Sequence, residues 1–475
     1  MNNILNNIKK VMLVFLLCFI GLISYMTYFE MLVGPNIVNS SYNRRMWIKR
    51  NEVLRGTIYD RNGNPLTKSE PINSETQKRE YTGGEVFSHA LGYVDEKYGI
   101  TGLERKYDDE LMSTDVKDNL KSLIENKGKS IKKVGNGVKT TLDTATQKKA
   151  YDLLGENRGA VVALNPKTGE VIAMVSKPSF DPNNLKDSWA DINKNSSRPL
   201  LNRATAGLYP PGSTFKTVTA ISALENISGV RSKTINDTGS VQIGSDYVLH
   251  NYNGEVLGSI NFEEAYAHSS NVYFGTLGLE LGNDKLKETA EEFYFNKSIP
   301  TDGIPVEPSH FPALKSYERG SIAQSAIGQS SDLASPLQMA VLVSTIANGG
   351  VMMKPHLVTS VVTSKGELVK TISPESIGQI ISPDIANTMK NMMKSVVDYG
   401  TGTGASISGI EVSGKTGTAD NQVMGQNSPP HSWFIGFAPY EDPQVAIAVI
   451  VENGGQGGLI AASIASQVIA ASLGK

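Results

Sequence analysis

Ser213 and Lys216 stand three residues apart in "LYPPGSTFKTVTAISAL", directly behind Pro210, Pro211 and Gly212. The prolines and the glycine cannot easily continue a helix from upstream. Apolar Phe215, Val218, Ile221 and Leu224 then recur at helical spacing, which predicts a helix starting at or near Ser213. Positions i and i+3 of a helix share a face, so the Lys216 amine can point at the Ser213 hydroxyl. A serine hydroxyl becomes a useful nucleophile when a neighbouring base takes its proton. Lysine is such a base only when neutral. Bringing it from about 10.4 to neutrality near pH 7 takes about three pH units, or roughly 4 kcal/mol. Burial and a second cation nearby would supply that. The plain alternative is a helix cap followed by a surface charge, and the pair alone does not decide between them.

Two further segments offer the missing groups. "AYAHSSNVYFGTLG" places Ser269, Ser270 and Asn271 between two helical stretches. Alone it reads as a turn-and-cap cluster. Within a site, Ser269 would relay a proton beside Ser213 and Asn271 would hold a substrate amide. "VSGKTGTAD" puts Lys415, Thr416, Gly417 and Thr418 on a predicted strand, otherwise readable as a charged edge strand with a glycine bulge. Within a site, Lys415 is the second cation and Thr416 receives a substrate carboxylate. Gly417 lets backbone approach the ligand closely. The N–H groups of Thr418 and Ser213 would form an oxyanion hole, worth about 3–4 kcal/mol per donor.

Around these segments the chain must supply rigid elements, and it is long enough to do so. Its 475 residues, with 40% hydrophobic and 19% charged content, allow two or more domains and a large core. The net charge of -2 gives no basic field for nucleic acid. A single cysteine, Cys18, rules out an intramolecular disulfide. The six histidines (His89, His250, His268, His310, His356 and His431) show no metal-ligand spacing. "VMLVFLLCFIGLISYMTYFEMLV", Val11 to Val33, is apolar enough to cross a bilayer, with no cleavage pattern behind it. Lys9 and Lys10 before it favour an inside amino terminus. Arg44, Arg45, Lys49 and Arg50 beyond it oppose that, but sit more than ten residues away, and long domains translocate largely regardless of charge.

The expected organisation is a cytoplasmic tail over 1–10, an anchor over 11–33, a membrane-proximal domain over 34–138 and a larger domain over 139–475. In the membrane-proximal part, "RGTIYDRNGNPL" predicts strand, Asn-Gly turn, strand. A helix and a connecting segment are expected in "STDVKDNLKSLIENKGKSIKKVGNGVKT". Beyond the boundary near Val138, "GAVVALNPKTGEVIAMVS" predicts a hairpin and "ASPLQMAVLVSTIAN" a helix. "GIEVSGKTGTA", "SWFIGFAPY" and "QVAIAVIVEN" predict three successive strands, and "LIAASIASQVIAASL" a closing helix. That order describes an α+β fold: an antiparallel sheet flanked by helices.

In the order S-x-x-K, S-x-N, K-T-G the three segments resemble the motif set of β-lactamases and penicillin-binding proteins. The sequence from about Arg55 to the end is similar to class B penicillin-binding proteins, which are membrane-anchored peptidoglycan DD-transpeptidases. "GLERKYDDEL", "TTLDTATQKKA", "VVALNPKTGEVIAMVSKPSFDPN", "NRATAGLYPPGSTFK", "AIGQSSDLASPLQMA" and "HSWFIGFAP" extend the likeness. The resemblance implies a penicillin-binding/serine β-lactamase-like transpeptidase domain behind a small membrane-proximal, pedestal or dimerisation-like domain and one transmembrane helix. It implies Ser213 as the attacking group on a D-Ala-D-Ala stem peptide, Lys216 as base, Ser269 and Lys415 as proton-handling groups, and Asn271, Thr416, Gly417 and Thr418 as substrate-binding residues. It also implies β-lactams as acylating ligands, no metal or organic cofactor, no nucleic acid, and a SEDS-type membrane glycosyltransferase as partner. A serine β-lactamase is the nearest rival, but no E-x-x-L-N stretch supplies the carboxylate that deacylates, and an anchor serves no purpose there. A DD-carboxypeptidase, a β-lactam sensor and an inactive scaffold are the remaining alternatives.

Overall fold

The computed structural model describes residues 2–34, 47, 50–73, 76–114, 133–245, 247–423 and 426–475. An apolar helix, Asn2–Tyr28, continues through a π-helical turn, Phe29–Val33. By length and composition it can cross a membrane. The helix expected in the 113–140 stretch falls on residues 115–132, outside the described residues.

The catalytic-size body is built on five strands: β1 (Gly159–Leu164), β2 (Val171–Lys177), β3 (Ser413–Val423), β4 (Gln426–Ala438) and β5 (Val445–Val451). Their order is β2-β1-β5-β4-β3, antiparallel throughout. Alternate side chains leave opposite faces of a strand. Here both faces are covered, so "VAIAVIV" on β5 is apolar at every position and buried at every position. Val445, Ile447, Val449 and Val451 join Val161, Ala163 and Phe434 against Ala150 and Leu154 of helix α1 (Thr144–Leu154) and against Ile464, Val468 and Ile469 of the closing helix. Ala446, Ala448 and Ile450 join Ala160, Val162, Trp433 and Ile435 in the other, larger core.

That larger core is helical on its far side. It contains α2 (Lys216–Asn226), α3 (Phe262–Ala267), α4 (Asn271–Glu292), α5 (Pro336–Ala347) and α6 (Pro383–Asp398). All twelve residues of α5 are buried. Its start is set by Ser335, whose side chain accepts from Gln338 N, with Pro336 at the first helical position. The closing helix, α7 (Ile460–Ser472), is rich in alanine, which lets it lie close to the sheet.

The membrane-proximal segment forms the expected strand, Asn-Gly turn and return, with a short ladder. The strand Ile58–Tyr59 meets its downstream neighbour through the antiparallel bridge Tyr59–Pro65, with Leu66 N donating to Ile58 O at 2.7 Å and Asp60 N to Asn64 O at 2.9 Å. Asp60 caps the turn: its carboxylate accepts from Asn62 N at 2.9 Å and Asn64 N at 2.8 Å, and from Thr144 Oγ1 at 2.6 Å. A side chain that caps the turn stops the hairpin ladder from growing. Ile58–Tyr59 pairs in parallel with Gly137–Thr140, which on its other edge pairs with Val358–Val362. Val138 lies inside this shared strand, with Ile58 on one side and Val361 on the other.

Two quoted motifs of this segment meet as a buried ion network. Arg55 Nε and the Glu104 carboxylate lie 2.5 Å apart, Arg79 reaches Glu104 at 2.8 Å, and Arg55 also reaches Asp108 at 2.5 Å. Glu104 is fully buried, and the two guanidinium groups hold its carboxyl below the usual range against the opposing effect of burial.

Candidate active site

Ser213 sits in a 3-10 turn, Gly212–Phe215, that runs directly into α2. This turn takes the place of the first α-helical turn expected there. Gly212 has φ +53°, and Thr214 Oγ1 donates to Pro211 O at 2.7 Å. A Cβ on Gly212 would stand 2.6 Å from Thr418 O. Gly212 N donates to Gly328 O at 2.9 Å, and Trp433 Nε1 donates to Pro210 O at 3.0 Å. The segment is therefore clamped between the edge strand β3 and the Gly328 loop, which only a glycine permits at position 212. Ser213 is half-buried, while Gly212, Thr214 and Phe215 around it are buried.

Residues i and i+3 eclipse on a 3-10 turn, so Lys216 lies on the same side as Ser213. Its ammonium is buried. Among the described residues its hydrogen bonds run to the S-S-N turn and not to Ser213 Oγ: Ser269 O at 2.5 Å, Asn271 Oδ1 at 2.7 Å and Ser269 Oγ at 3.2 Å. Three fixed oxygens match the three donors of an ammonium group.

That turn is held open by a backbone irregularity. Ser269 has φ +61° and ends α3, with Ser269 N donating to Tyr266 O at 3.2 Å and Ser270 N to Ala265 O at 2.9 Å. The left-handed position after a helix is ordinarily glycine. A serine there costs about 1–2 kcal/mol and places a hydroxyl beside Lys216. Asn271 opens α4. Its side-chain Nδ2 donates to His250 O at 2.8 Å, which fixes the amide so that Oδ1 faces Lys216.

Lys415 lies on β3, fully buried, with Nζ donating to Thr416 O at 3.2 Å and standing 5.5 Å from the centroid of the Tyr266 ring. Burial pulls its pKa down to about 7. Lys216 falls well below the ordinary lysine range, through burial first and then through the charge of Lys415, with Asp237 acting in the opposite sense. The Thr416 hydroxyl pairs with Thr401 Oγ1 at 2.6 Å. A Cβ on Gly417 would meet Thr214 Cγ2 at 2.8 Å and Pro211 O at 3.0 Å, so this glycine lets the strand lie against the Ser213 turn. Thr418 is half-buried, and its hydroxyl accepts from Gly457 N at 3.3 Å.

The structure thus brings all three segments together around Ser213. Thr401, Tyr266, Asn251 and Asp237 belong to the same cluster and are not foreseen from the sequence. Each is a single residue in a loop, a strand or a short helix, with no spacing to mark it. Among the described residues no carboxylate is hydrogen-bonded to either buried lysine. A reachable hydroxyl flanked by two desolvated amines, at least one of them driven toward neutrality, is equipped for nucleophilic acyl transfer.

The chain also matches known proteins. The penicillin-binding protein transpeptidase domain matches residues 159–470, and the penicillin-binding protein A dimerisation domain matches residues 55–136. The chain is 35% identical over 417 residues to the peptidoglycan D,D-transpeptidase PbpA of Mycolicibacterium smegmatis, covering 83% of this chain and 84% of that protein. It is 29% identical to the peptidoglycan D,D-transpeptidase MrdA of Acinetobacter baumannii, over 82% of this chain and 65% of that one. Among solved structures it is similar to the penicillin G acyl-enzyme complex of penicillin-binding protein A from M. tuberculosis, with TM-score 0.81, 32% identity and coverage of 89% and 100% of the two chains. The D,D-transpeptidase domain from Eggerthella lenta matches with TM-score 0.79 and 33% identity, over 89% of this chain and 99% of that one.

Proposed function

This chain belongs to the class B penicillin-binding protein transpeptidases, and we propose that Ser213 is the nucleophile with which it cross-links peptidoglycan stem peptides. Its activity is that of a serine D,D-transpeptidase, acylated by β-lactams. The observation that carries the assignment of roles is the pair of buried amines, Lys216 and Lys415, gathered beside a half-exposed serine hydroxyl.

Ser213 Oγ attacks the carbonyl carbon of the penultimate D-Ala, and its proton passes to the neutral amine of Lys216. The oxyanion that forms is received by the N–H groups of Ser213 and Thr418. The leaving D-Ala nitrogen takes a proton through Ser269, whose hydroxyl is 3.2 Å from Lys216 Nζ. An amine from a second stem peptide then attacks the ester and loses its proton by the same route. Asn271 holds the donor amide. The Thr416 and Thr418 hydroxyls take the terminal carboxylate, and Gly417 leaves room for substrate to lie along β3. Burial first, and then the charge of Lys415, keep Lys216 from holding its proton before substrate arrives.

The apolar helix supports an anchored protein with its amino terminus in the cytoplasm and residues 139–475 outside as the transpeptidase domain. The segment over 34–138 serves as a pedestal. This segment, held in shape by the buried ion network around Glu104, and the apolar helix offer the contact surface for a SEDS-type membrane glycosyltransferase that makes the glycan strands. The test is labelling of the full chain with a fluorescent penicillin, followed by peptide mapping. Label is expected on the Ser213 peptide and absent from Ser213→Ala. Label on any other peptide would overturn the assignment.

A further inference from the structure

Behind the S-S-N turn lies a carboxylate that the proposed chemistry leaves unused. Asp237 closes the strand Thr234–Asp237 and is fully buried. Every contact it makes is to a donor. Gly239 N reaches Oδ1 at 2.8 Å, Asn251 Nδ2 reaches Oδ1 at 2.8 Å and Oδ2 at 2.9 Å, and Ser270 Oγ reaches Oδ2 at 2.5 Å. A carboxylate that only accepts is the form these donors fit. Asn251 in turn has its amide oriented by Asp237, and its Oδ1 accepts from Asn271 N at 2.8 Å and Val272 N at 3.1 Å. Asn271 Oδ1 then accepts from Lys216 Nζ at 2.7 Å. A continuous chain runs Asp237, Asn251, Asn271, Lys216. A second branch runs from Asp237 through Ser270, whose hydroxyl also caps α4 by accepting from Tyr273 N at 2.9 Å.

We propose that Asp237 is a positioning residue for acyl transfer, which holds the S-S-N turn in register and supplies the negative charge that stabilises the Lys216 ammonium formed when Ser213 gives up its proton. This rests on the reading of Lys216 as the base. The role is the one a buried aspartate plays behind histidine in a serine triad: it orients the base and steadies its protonated form without taking the proton. Here it acts through two amides and not by direct contact. Its charge opposes those of burial and Lys415 at Lys216. Besides Asp237, the charge that acts on the amine is that of Lys415 on β3, which is positive.

The test is the second-order rate of acylation of the full chain, in detergent, by a fluorescent penicillin, followed across pH. The rate rises with pH as Lys216 loses its proton and then reaches a plateau. In Asp237→Asn the shape is kept and the charge is lost. The rise should move to lower pH by about half a unit to one unit, and the plateau should fall by about tenfold or more. His268→Gln, on the same turn, should leave the position of the rise alone. An Asp237→Asn profile that superimposes on the wild type overturns the proposal. So does a lower plateau with the rise unmoved, since that is what a merely structural residue gives. If Asp237→Asn does not fold, Asn251→Ala breaks the link while keeping the charge. Its plateau should fall with the rise in place, and an unchanged plateau overturns the proposal. Lys216→Ala separates the two readings: wild-type acylation in that variant removes the base assignment itself, whatever Asp237 does.

Discussion

Replacing Lys415 by methionine should make the protein more stable while destroying its activity, and the size of the effect follows from its burial. In the unfolded chain Lys415 titrates near 10.5, and in the folded chain at about 7, because burial disfavours the ammonium. Between those values the unfolded chain holds a proton that the folded chain has released, so stability rises with pH across that window. Below about pH 7 both states hold the proton, and the folded state carries the whole cost. At about 1.4 kcal/mol per pH unit, that cost is about 5 kcal/mol. Methionine fills a similar volume without charge. It forfeits the hydrogen bond to Thr416 O, worth about 1 kcal/mol, so about 3–4 kcal/mol should remain as gain on the acid side. The assay is denaturant unfolding of the full chain in detergent, wild type against Lys415→Met, at about pH 6, 8 and 10. The variant should lead clearly at the lowest pH and lose its lead by the highest. Penicillin labelling of the same samples should collapse, because the site loses one of its two proton-handling amines. A variant no more stable than wild type at the lowest pH, or one with the wild-type slope between about pH 7 and 10, would refute the reasoning.

Two further substitutions probe the frame around the site. Gly212→Ala puts a Cβ 2.6 Å from Thr418 O at a residue with φ +53°, so it should cost about 2–3 kcal/mol in a melt and slow acylation of Ser213 sharply. Glu104→Gln leaves Arg55 and Arg79 without their shared buried carboxylate, and should cost about 3–5 kcal/mol, read as a lower melting temperature of the full chain.

The parts of this structure that were legible in the sequence are those where one physical demand governs a whole stretch. The strand β5 is apolar at every residue because both of its faces are covered, and the hairpin of β1 and β2 is bounded by a turn that its Asn-Pro-Lys-Thr-Gly stretch announces. The S-x-x-K, S-x-N and K-T-G segments were legible because short spacings set their side chains on one turn or one strand. What escaped is non-local. Asp237, Asn251 and Thr401 act through partners 33, 20 and 15 residues away, Ser270, Asn271 and Thr416, and nothing near them in the chain marks those partners. The Asn62-Gly63 turn forms as its residues indicate, and only the shortness of its ladder is non-local in origin. A carboxylate two residues earlier, itself held by Thr144, takes the N–H groups that a longer ladder would have used.

The site is marked by what it costs the fold. A cavity of about 310 Å³ beside His89, Tyr93, Phe180 and Asn202 is lined by none of the residues around Ser213. Around Ser213, by contrast, local rules are broken repeatedly. Stability alone would put glycine at 269, where φ is +61°, and an apolar residue at both 216 and 415, which are fully buried. Each breach places a polar atom in one connected group: Ser269 O and Oγ take the Lys216 amine, and the charge of Lys415 acts on that amine. Single breaches occur elsewhere in the chain, as at Tyr294 with φ +67° and at the buried Glu104. Three that meet at one amine, three residues from a half-exposed hydroxyl, are what a protein selected for the reaction of that hydroxyl must show.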